Sequence, residues 1–364
     1  MPRLTAGQNV RSTYTVERLL GEGAFAEVYR VQHRFLGRQA MKVLKAPGAG
    51  SMEIEQIVGE ALLLSRIGHP NIIRVFDANV LDIEGETYGF FTMEYVPGGS
   101  LDAFWRSYRD RLMPIAQAVD VIKQVCLGVA VAHAESPPVV HRDIKPQNIL
   151  VGYDANGLRV RVADFGLAKR VNPLTLLVSS RGTLQFKAPE SFDNHESPAA
   201  DVWAIGTTLY LLLADVLPFP ELDGRDVTDA SRFLRGLRPA SVYNISVDAA
   251  LDTILSRCLA PNASDRYSSA RDLLNDLQRW HPNSGQSQSM TSASTAHSKA
   301  ALGTAAAVTA RTPREMASKA LELAKSPASL TLAADMLEEA LSRSPPLRDE
   351  YESQLRLWRR GVCM

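Results

Sequence analysis

The chain has 364 residues, of which 45% are apolar, and its 40 basic side chains balance 40 acidic ones. This composition is ample for a packed core and predicts a globular protein of two domains, or of one large domain with a tail. Because the net charge is zero, no overall field attracts nucleic acid or an anionic membrane, and we expect neither as a partner.

The cysteines and the apolar segments indicate the compartment. Cys126, Cys258 and Cys363 are scattered and form no metal-type pair, which fits unbridged thiols in a reducing cytosol. Residues 1–12 lack the apolar segment of a signal peptide, and we expect them to form a loose leader. No run reaches the roughly eighteen apolar residues of a bilayer span, and polar residues interrupt Val202 to Val216, the longest candidate. We therefore expect a cytoplasmic protein.

The first regular pattern is strand-like and runs from Tyr14 into Gly21 and Gly23. Both glycines can bring bare backbone close to a phosphate because they have no Cβ, although a simple hairpin turn explains the pair equally well. Residues 38–44 alternate as a second strand that contains Lys42, and residues 52–67 carry a helical pattern that contains Glu60. Taken alone, Lys42 is typical of a solvated strand charge and Glu60 of a helix surface.

Two further elements precede the most informative stretch. Residues 90–96 predict a strand that runs into a glycine-broken hinge at residues 97–99. Residues 116–134 predict a long amphipathic helix with a scaffold role.

Residues 141–164 concentrate side chains that suit one kind of chemistry. Asp143 can orient a hydroxyl, Lys145 can answer growing phosphate charge, and the amide oxygen of Asn148 can hold a metal. Asp164 follows two apolar runs around residues 154–157, which predict a hairpin. Because a hairpin brings its ends together, Asn148 and Asp164 can share one magnesium site. The set indicates transfer of a γ-phosphoryl group.

The order of the motifs resembles a eukaryotic-type (Hanks-type) serine/threonine protein kinase. HRDIKPQN at 141–148, DFG at 164–166 and APE at 188–190 follow the glycine pair, Lys42 and Glu60. A single three-residue match would favour a surface loop that holds such residues by chance, but the elements stand in order from Tyr14 to Trp280. The compact loops and the tail favour a bacterial member of the family.

The resemblance implies an α+β, two-lobed protein kinase fold, followed here by a C-terminal helical tail. The small N-lobe is a β-rich antiparallel sheet with one helix, αC, and the larger C-lobe is mainly helical. The domain organisation is then a leader at 1–12, a kinase domain at 13–281, a Ser/Thr/Ala-rich flexible linker at 282–312 and a helical tail at 313–364.

The resemblance also assigns the nucleotide site. It implies that Gly21 and Gly23 lie over the ATP phosphates, that Lys42 holds the α- and β-phosphates, and that Glu60 pairs with Lys42. The residues implied to contact or border adenine are Leu20, Val28, Ala40, Met93 and Leu150, with the backbones of Glu94 and Val96 as hydrogen-bond partners. Ala26 replaces the third glycine of the family pattern, which predicts a stiffer loop that still works. Ser100 stands where relatives often carry an acid for the ribose hydroxyls, a contact that Asp102 could take over.

The same resemblance gives roles to the catalytic residues. Asp143 accepts the hydroxyl proton, Lys145 touches the transferred phosphate, and Asn148 and Asp164 hold Mg²⁺, with Mn²⁺ as an alternative. Asp201 resembles the buried aspartate that steadies the catalytic loop. Glu190 is expected to form a structural salt bridge with Arg266.

Arg142, next to the catalytic acid, implies control by phosphorylation of the activation segment. Counting back from residues 188–190, Ser179 falls at the usual activating site and Thr183 at a structural threonine near Asp143. The runners-up for phosphorylation are Ser180 and Thr175, and Lys169 and Arg170 could complete the basic pocket.

The target hydroxyl is expected to belong to serine or threonine, because Lys145 and Thr183 match that branch of the family. Gln147 and Leu211 stand where arginine-directed kinases carry acids, so we do not predict a preference for basic substrates.

The tail, residues 313–364, has helical periodicity and vaguely resembles one tetratricopeptide-type repeat. Its apolar positions are Met316, Ala320, Leu323, Ala324, Leu332, Ala333, Met336, Leu337, Ala340, Leu341, Leu355, Leu357 and Trp358. One repeat needs neighbours to bury its faces. The tail is therefore either a docking or self-associating module or a segment that packs back on the kinase domain, and the sequence favours neither.

The sequence predicts a magnesium- and ATP-dependent serine/threonine protein kinase that phosphorylates proteins and is activated by autophosphorylation near Ser179. A pseudokinase scaffold that signals through the tail is the rival, against which the complete set of catalytic residues stands. A small-molecule kinase is a third reading, which the activation segment disfavours because a small substrate needs no peptide platform.

Overall fold

The computed structural model describes residues 2–23, 26–47, 65, 68–108, 112–154, 157–165, 184–193, 195, 197–219, 233, 236–282, 312–324, 330–344 and 346–359. The chain divides into two compact units, Met1–Trp280 and His281–Met364. This division falls beside the predicted end of the first domain at residue 281.

The first unit begins with a six-stranded antiparallel sheet. Its strands are β1 (Asn9–Val10), β2 (Tyr14–Glu22), β3 (Ala26–His33), β4 (Gly37–Pro47), β5 (Val75–Ile83) and β6 (Glu86–Glu94), in the spatial order β1-β2-β3-β4-β6-β5. Side chains alternate between the two faces, as the strand period requires. Met41 and Val43 enter one apolar cluster with Phe90, while Ala40 and Phe91 enter another on the opposite face.

The prediction of a loose leader at residues 1–12 is wrong for the part that the structure describes. Leu4 is 2% exposed and Val10 3% exposed, and β1 pairs with β2 through Val10 and Tyr14. Gly7 N also donates to Val16 O at 2.8 Å. The segment packs because two apolar side chains anchor it, and two such residues are too few to show a periodic pattern in sequence.

The second half of the first unit is mainly helical. Its helices are α1 (Leu101–Arg106), α2 (Ile115–His133), α3 (Pro198–Ala214), α4 (Ala249–Cys258) and α5 (Ala270–Arg279), with a two-stranded hairpin of β7 (Ile149–Asp154) and β8 (Gly157–Val162). The predicted helix over 52–67, with Glu60, lies outside the described residues except for Ser65.

Helix α2, and not the run Val202 to Val216, is the longest apolar stretch of the described chain. By length and composition it could cross a membrane, but 61% of that stretch is buried within the fold. Its apolar residues pack against α3 and β8 in one core, which is the pattern of a central helix in a globular domain.

The segment at Asn71 joins the two halves of the first unit. Asn71 O accepts from Val162 N at 2.9 Å, and Val162 O accepts from Ile73 N at the same distance. The side-chain Nδ2 of Asn71 donates to Val160 O at 2.8 Å and to Gln124 Oε1 of α2 at 3.2 Å. These bonds fix the hairpin and α2 against the base of the sheet.

The described part of the second unit consists of three helices, which confirms the predicted helical tail. They are α6 (Pro313–Leu323), α7 (Leu330–Arg343) and α8 (Pro346–Arg359). Thr312 and Glu315 form a reciprocal capping box that begins α6. The buried core of this unit consists of Met316, Ala317, Ala320, Ala324, Ala333, Ala334, Leu337, Ala340, Leu341, Leu347 and Trp358.

Candidate active site

The predicted adenine contacts come together between the sheet and the hairpin. One apolar cluster contains Val28, Ala40, Met93, Val96 and Leu150, together with Ala163. The pairing register explains the grouping, because Ala40 lies opposite Met93, and Val28 lies opposite Lys42. Leu20 stands apart from this cluster, with 37% of its surface exposed.

The glycine pair faces open space. A Cβ at Gly21 would meet no described atom within 4 Å, and one at Gly23 would meet only Ala26 O at 3.6 Å. Packing among the described residues therefore does not require glycine at either position, and the room above the backbone suits a phosphate. Gly23 N donates to Ala26 O at 2.8 Å. Ala26 itself is 3% exposed, so the sheet accommodates its methyl group.

Lys42 faces the second half of the unit. Its Nζ lies 2.7 Å from Asp164 Oδ2 and 6.0 Å from the centroid of the Phe91 ring. The lysine therefore reaches the residue that begins the DFG motif. Its pairing with Glu60 stays a prediction, because Glu60 lies outside the described residues.

The catalytic loop brings Lys145 and Asn148 into contact with Asp143. Lys145 Nζ lies 2.8 Å from Asp143 Oδ2, and Asn148 Nδ2 donates to Asp143 Oδ2 at 2.8 Å and to Asp143 O at 2.7 Å. The short 3₁₀ helix Pro146–Asn148 makes this possible because it turns the chain back toward Asp143. Asp143 is thereby held in one orientation by a cation and an amide.

The hairpin places Asn148 and Asp164 at its open end. Ile149 pairs with Val162, and Ala163 N donates to Asn148 O at 2.8 Å. Since Asn148 Nδ2 is bound to Asp143, its Oδ1 points away from that carboxylate. The predicted hairpin is confirmed, with its turn residues 155–156 outside the described chain.

An amide oxygen and a carboxylate suit a hard divalent cation. Among the described residues, no group of three or more His, Cys, Asp or Glu side chains could hold a metal without help. Magnesium is commonly bound by one or two protein oxygens together with substrate phosphates, so Asn148 and Asp164 fit it. That the two share one ion stays a prediction.

Asp201 organises the loop from below. Its carboxylate accepts from His141 N at 2.7 Å, from Arg142 N at 2.9 Å and from His133 Nε2 at 3.0 Å. Burial raises the pKa of Asp201, but the hydrogen bonds and the nearby histidines outweigh burial, and the net pKa is lowered. The predicted role of Asp201 is confirmed, and it helps hold Arg142 at φ 70°, a left-handed conformation uncommon for a non-glycine residue.

His133 is a contributor that sequence reasoning missed. Its Nδ1 accepts from Ala270 N at 3.2 Å, so Nε2 carries the proton that it donates to Asp201. The one sequence signal was a histidine in the last turn of α2. His141 is oriented in a similar way, because Nδ1 accepts from Asp143 N at 3.3 Å and Nε2 donates to Ala163 O at 2.8 Å.

The predicted salt bridge between Glu190 and Arg266 is confirmed. Two guanidinium nitrogens of Arg266 lie 2.6 and 2.8 Å from the carboxylate of Glu190, and the arginine side chain is fully buried. Arg266 also donates to Ala260 O at 2.7 Å and to Pro261 O at 2.8 Å. The bridge fixes the chain directly after the activation segment. The candidates in that segment, Lys169, Arg170, Thr175, Ser179, Ser180 and Thr183, lie outside the described residues.

The hinge is held by contacts that the sequence did not predict. Glu94 N donates to Arg74 O at 2.8 Å, and Glu94 Oε1 lies 2.8 Å from Arg161 Nε of β8. Ser100 Oγ accepts from Ala103 N and so caps α1. Asp102 is bound to Arg106 at 2.9 Å and to Gln147 at 3.0 Å. Both candidates for a ribose contact therefore already have protein partners.

Comparisons with known proteins agree with this geometry. The sequence matches the protein kinase domain family over residues 14–277. Two curated relatives are serine/threonine-protein kinases. GE16371 of Drosophila yakuba is 36% identical, and the match covers 60% of this chain and 28% of that protein. PrkC of Bacillus subtilis (strain 168) is 31% identical, and the match covers 75% of this chain and 41% of that protein. The chain thus spans less than half of either relative. The crystal structure of the Mycobacterium tuberculosis PknI kinase domain has a TM-score of 0.56 and 27% identity, and the match covers 76% of this chain and 99% of that one.

Proposed function

The chain belongs to the protein kinase family, and we propose that it transfers the γ-phosphoryl group of ATP to serine or threonine hydroxyls of proteins. One observation carries the proposal: Lys145 and Asn148 both contact Asp143 within 2.8 Å, beside the pairing of Lys42 with Asp164. A carboxylate for the hydroxyl and cations for the phosphates are thus assembled in one place.

Each residue has a defined task in the transfer. The Asp143 carboxylate accepts a hydrogen bond from the substrate hydroxyl and so points the hydroxyl oxygen at the phosphorus of the γ-phosphate. Lys145, already beside Asp143 Oδ2, donates to the phosphate oxygens as their charge grows. Lys42 binds the α- and β-phosphates and keeps the γ-phosphate in line with the hydroxyl.

Asn148 Oδ1 and the Asp164 carboxylate would hold Mg²⁺, with Mn²⁺ as an alternative. The bound ion offsets the negative charge of the phosphate oxygens during transfer. Asn148 is suited to this task because its amide nitrogen is fixed on Asp143, which orients the oxygen. Asp164 adopts φ 67°, and such uncommon backbone is typical of functional positions.

The adenine ring fits between Ala40 and Leu150, with Met93 behind it and Leu20 at the open edge. The N–H of Glu94 is taken by Arg74 O, which leaves the Glu94 carbonyl to accept from the base. Val96 N–H supplies the complementary donor. Gly21 and Gly23 close over the phosphates, and their open surroundings support this role.

Four further parts of the proposal rest on the sequence. The enzyme acts in the cytoplasm, and it autophosphorylates Ser179, whose phosphate Arg142 then binds. Its protein substrates need no arginine before the target residue. The tail, residues 313–364, binds a protein partner, associates with a second copy or packs back on the kinase domain.

Phosphate incorporation from labelled ATP with magnesium tests the proposal, with labelled residues mapped by mass spectrometry. Wild-type protein is expected to label itself near Ser179, and Asp143→Asn is expected to lose this label by about 10² to 10⁴-fold because it cannot accept the proton. Asp120→Asn is the matched control, since Asp120 bonds to Gln124 on α2 and touches no site residue in the described chain.

Two results would contradict the proposal. If wild-type protein binds ATP with magnesium but labels neither itself nor any protein, the chain is a scaffold. If it labels a small molecule and no protein, it is a small-molecule kinase.

A further inference from the structure

Glu27 of β3 is a buried carboxylate that adjoins an adenine contact in the sequence. Its side chain is 2% exposed, and it precedes Val28, one of the adenine contacts. Because side chains alternate along a strand, Glu27 and Tyr29 lie on the face opposite Val28. A buried charge is costly unless it is paired.

The partner of Glu27 comes from the N-terminal segment, residues 2–10. Arg3 N donates to Glu27 Oε2 at 3.0 Å, and Arg3 Nη1 donates to Glu27 Oε1 at 2.9 Å. The hydroxyl of Tyr29 also donates to Glu27. Burial raises the pKa of Glu27, but the bonds from Tyr29 and Arg3 outweigh it and lower the net pKa. The carboxylate is therefore charged, and the Arg3 guanidinium is the cation that pairs with it.

Arg3 also binds two other strands of the sheet. Its Nη2 donates to Lys45 O of β4 at 3.3 Å, and its guanidinium carbon lies 5.0 Å from the centroid of the Tyr88 ring on β6. The side chain of Lys45 in turn lies 2.5 Å from Glu22 of β2. Arg3 and Lys45 together connect four strands at one end of the sheet.

These cations oppose a repulsion at the base of the glycine pair. Glu22 and Glu27 lie directly opposite each other in the β2–β3 register, where like charges are destabilising. The next backbone bond joins Gly23 N to Ala26 O at 2.8 Å. Without the cations, the two carboxylates would push β2 and β3 apart at the point where the chain approaches the phosphates.

We propose that Arg3 is a positioning residue for ATP, which holds the β2–β3 pair closed so that Gly21, Gly23 and Val28 keep their place over the nucleotide. The inference rests on the proposed function, because it assumes that ATP binds under these strands. Asp143, Lys145 and Asn148 lie in the other half of the unit, and Lys42 on β4 pairs with Asp164, whereas Arg3 bonds to Glu27 and Lys45. Removal of the Arg3 side chain is therefore expected to weaken ATP binding and to leave the rate of the transfer step unchanged.

Steady-state kinetics of the full chain test the proposal. Arg3→Ala is expected to raise KM for ATP about tenfold, the effect of about 1.4 kcal/mol of lost binding free energy, with kcat within about twofold. The Kd of a non-hydrolysable ATP analogue, measured by calorimetry, is expected to rise in parallel. Arg3→Lys keeps a charge near Glu27 but cannot also reach Lys45 O. Its KM for ATP is therefore expected to lie between those of the wild type and Arg3→Ala.

Arg11→Ala is the matched control. Arg11 belongs to the turn that follows the same segment, and its Nη1 donates to Val80 O of β5 at 3.1 Å, so its bond involves neither Glu27 nor Lys45. Its KM for ATP is expected to equal that of the wild type. A rise as large as that of Arg3→Ala would show that any loosening of the segment suffices, and would overturn the specific role of Arg3.

A double-mutant cycle with Glu27→Gln isolates the charge pair. In Arg3→Ala the buried charge of Glu27 is left without its cation, whereas the double variant has neither charge. The KM increase of the double variant is therefore expected to be smaller than the product of the two single increases. Strictly multiplicative increases would contradict a role through Glu27.

The assays separate this proposal from the proposed function. If Arg3→Ala lowers the Tm but leaves KM and Kd unchanged below the unfolding transition, the arginine is merely structural and the positioning role is overturned. If wild-type protein binds no ATP analogue, both proposals fail. If it binds the analogue with the expected Arg3 dependence but phosphorylates nothing, only the proposed function fails.

Discussion

Asp201 is a single side chain that supports the whole catalytic loop. It accepts hydrogen bonds from the backbone N–H groups of His141 and Arg142 and from the His133 ring, and it is 1% exposed. A buried carboxylate with three donors is favoured in its charged form. The geometry of Asp143, which follows Arg142 directly, therefore depends on the ionisation of a residue that never touches substrate.

This dependence predicts an acid-sensitive stability. The folded pKa of Asp201 is lowered, so its stabilisation is complete above the unfolded pKa of about 3.9 and is lost as pH falls through the folded value. In urea unfolding at pH 7, Asp201→Asn is expected to have a lower free energy of unfolding than the wild type. Between pH 5 and pH 3, the free energy of unfolding of the variant is expected to fall by less than that of the wild type. An equal acid slope in both proteins would show that Asp201 does not contribute to it.

At the scale of elements, helix α2 and the Asn71 segment meet backbone to backbone. A Cβ at Gly128 would lie 2.7 Å from Asn71 O and 3.2 Å from Asn71 C, and these atoms are fixed by the bond from Val162 N. The glycine is therefore required by close approach. The contact matters because the same segment holds the hairpin, which ends at Val162, two residues before Asp164.

Gly128→Ala is expected to destabilise the protein by about 1 to 2 kcal/mol. Overpacking costs about 1 to 3 kcal/mol, and the better helix propensity of alanine returns up to about 1 kcal/mol. Denaturant unfolding measures the change. Gly152→Ala is the control, because its new methyl would meet only the Val96 side chain at 3.2 Å, and that side chain can shift. The control is therefore expected to lose less than half as much free energy of unfolding as Gly128→Ala. Equal losses would contradict this account.

The elements that could be predicted from sequence are those with local patterns. Strand β4 alternates Ala40 and Lys42 with Met41 and Val43, and each pair enters the face that the period assigns. The hairpin of β7 and β8 carries two apolar runs and a turn signal, so the meeting of its ends followed directly. The motif residues of the catalytic loop lie within eight positions, and their contacts are short-range.

Contacts between distant segments could not be predicted, because no periodicity links their residues. Arg3 and Glu27 are 24 positions apart, and their pairing depends on how the first residues cross the sheet. Arg161 of β8 pairs with Glu94 at the end of β6, a contact that depends on how the hairpin packs against the sheet. Glu190 and Arg266 are 76 positions apart, and their pairing was predicted from the family resemblance and not from spacing in the sequence.

At the scale of the whole molecule, the two units have very different cores. The first contains large buried side chains such as Trp203 and Tyr210, whereas six of the eleven buried core residues described in the tail are alanines, at positions 317, 320, 324, 333, 334 and 340. Small side chains let helices approach closely but bury little area. A unit of this size rarely gains more than about 3 to 5 kcal/mol from its core, so the tail is expected to be the less stable unit.

Leu337→Ala tests whether the tail folds and acts separately from the kinase domain. Leu337 is fully buried in the tail core, and such a truncation costs about 2 to 5 kcal/mol, which is comparable to the whole stability expected for this unit. The full-length variant is therefore expected to lose the helical circular dichroism of the tail while KM for ATP stays unchanged. Lys319→Ala is the control, since it removes only an exposed pair with Glu322 worth about 0.2 to 0.5 kcal/mol. A change in KM on loss of the tail helices would instead show that the tail packs against the kinase domain and supports nucleotide binding.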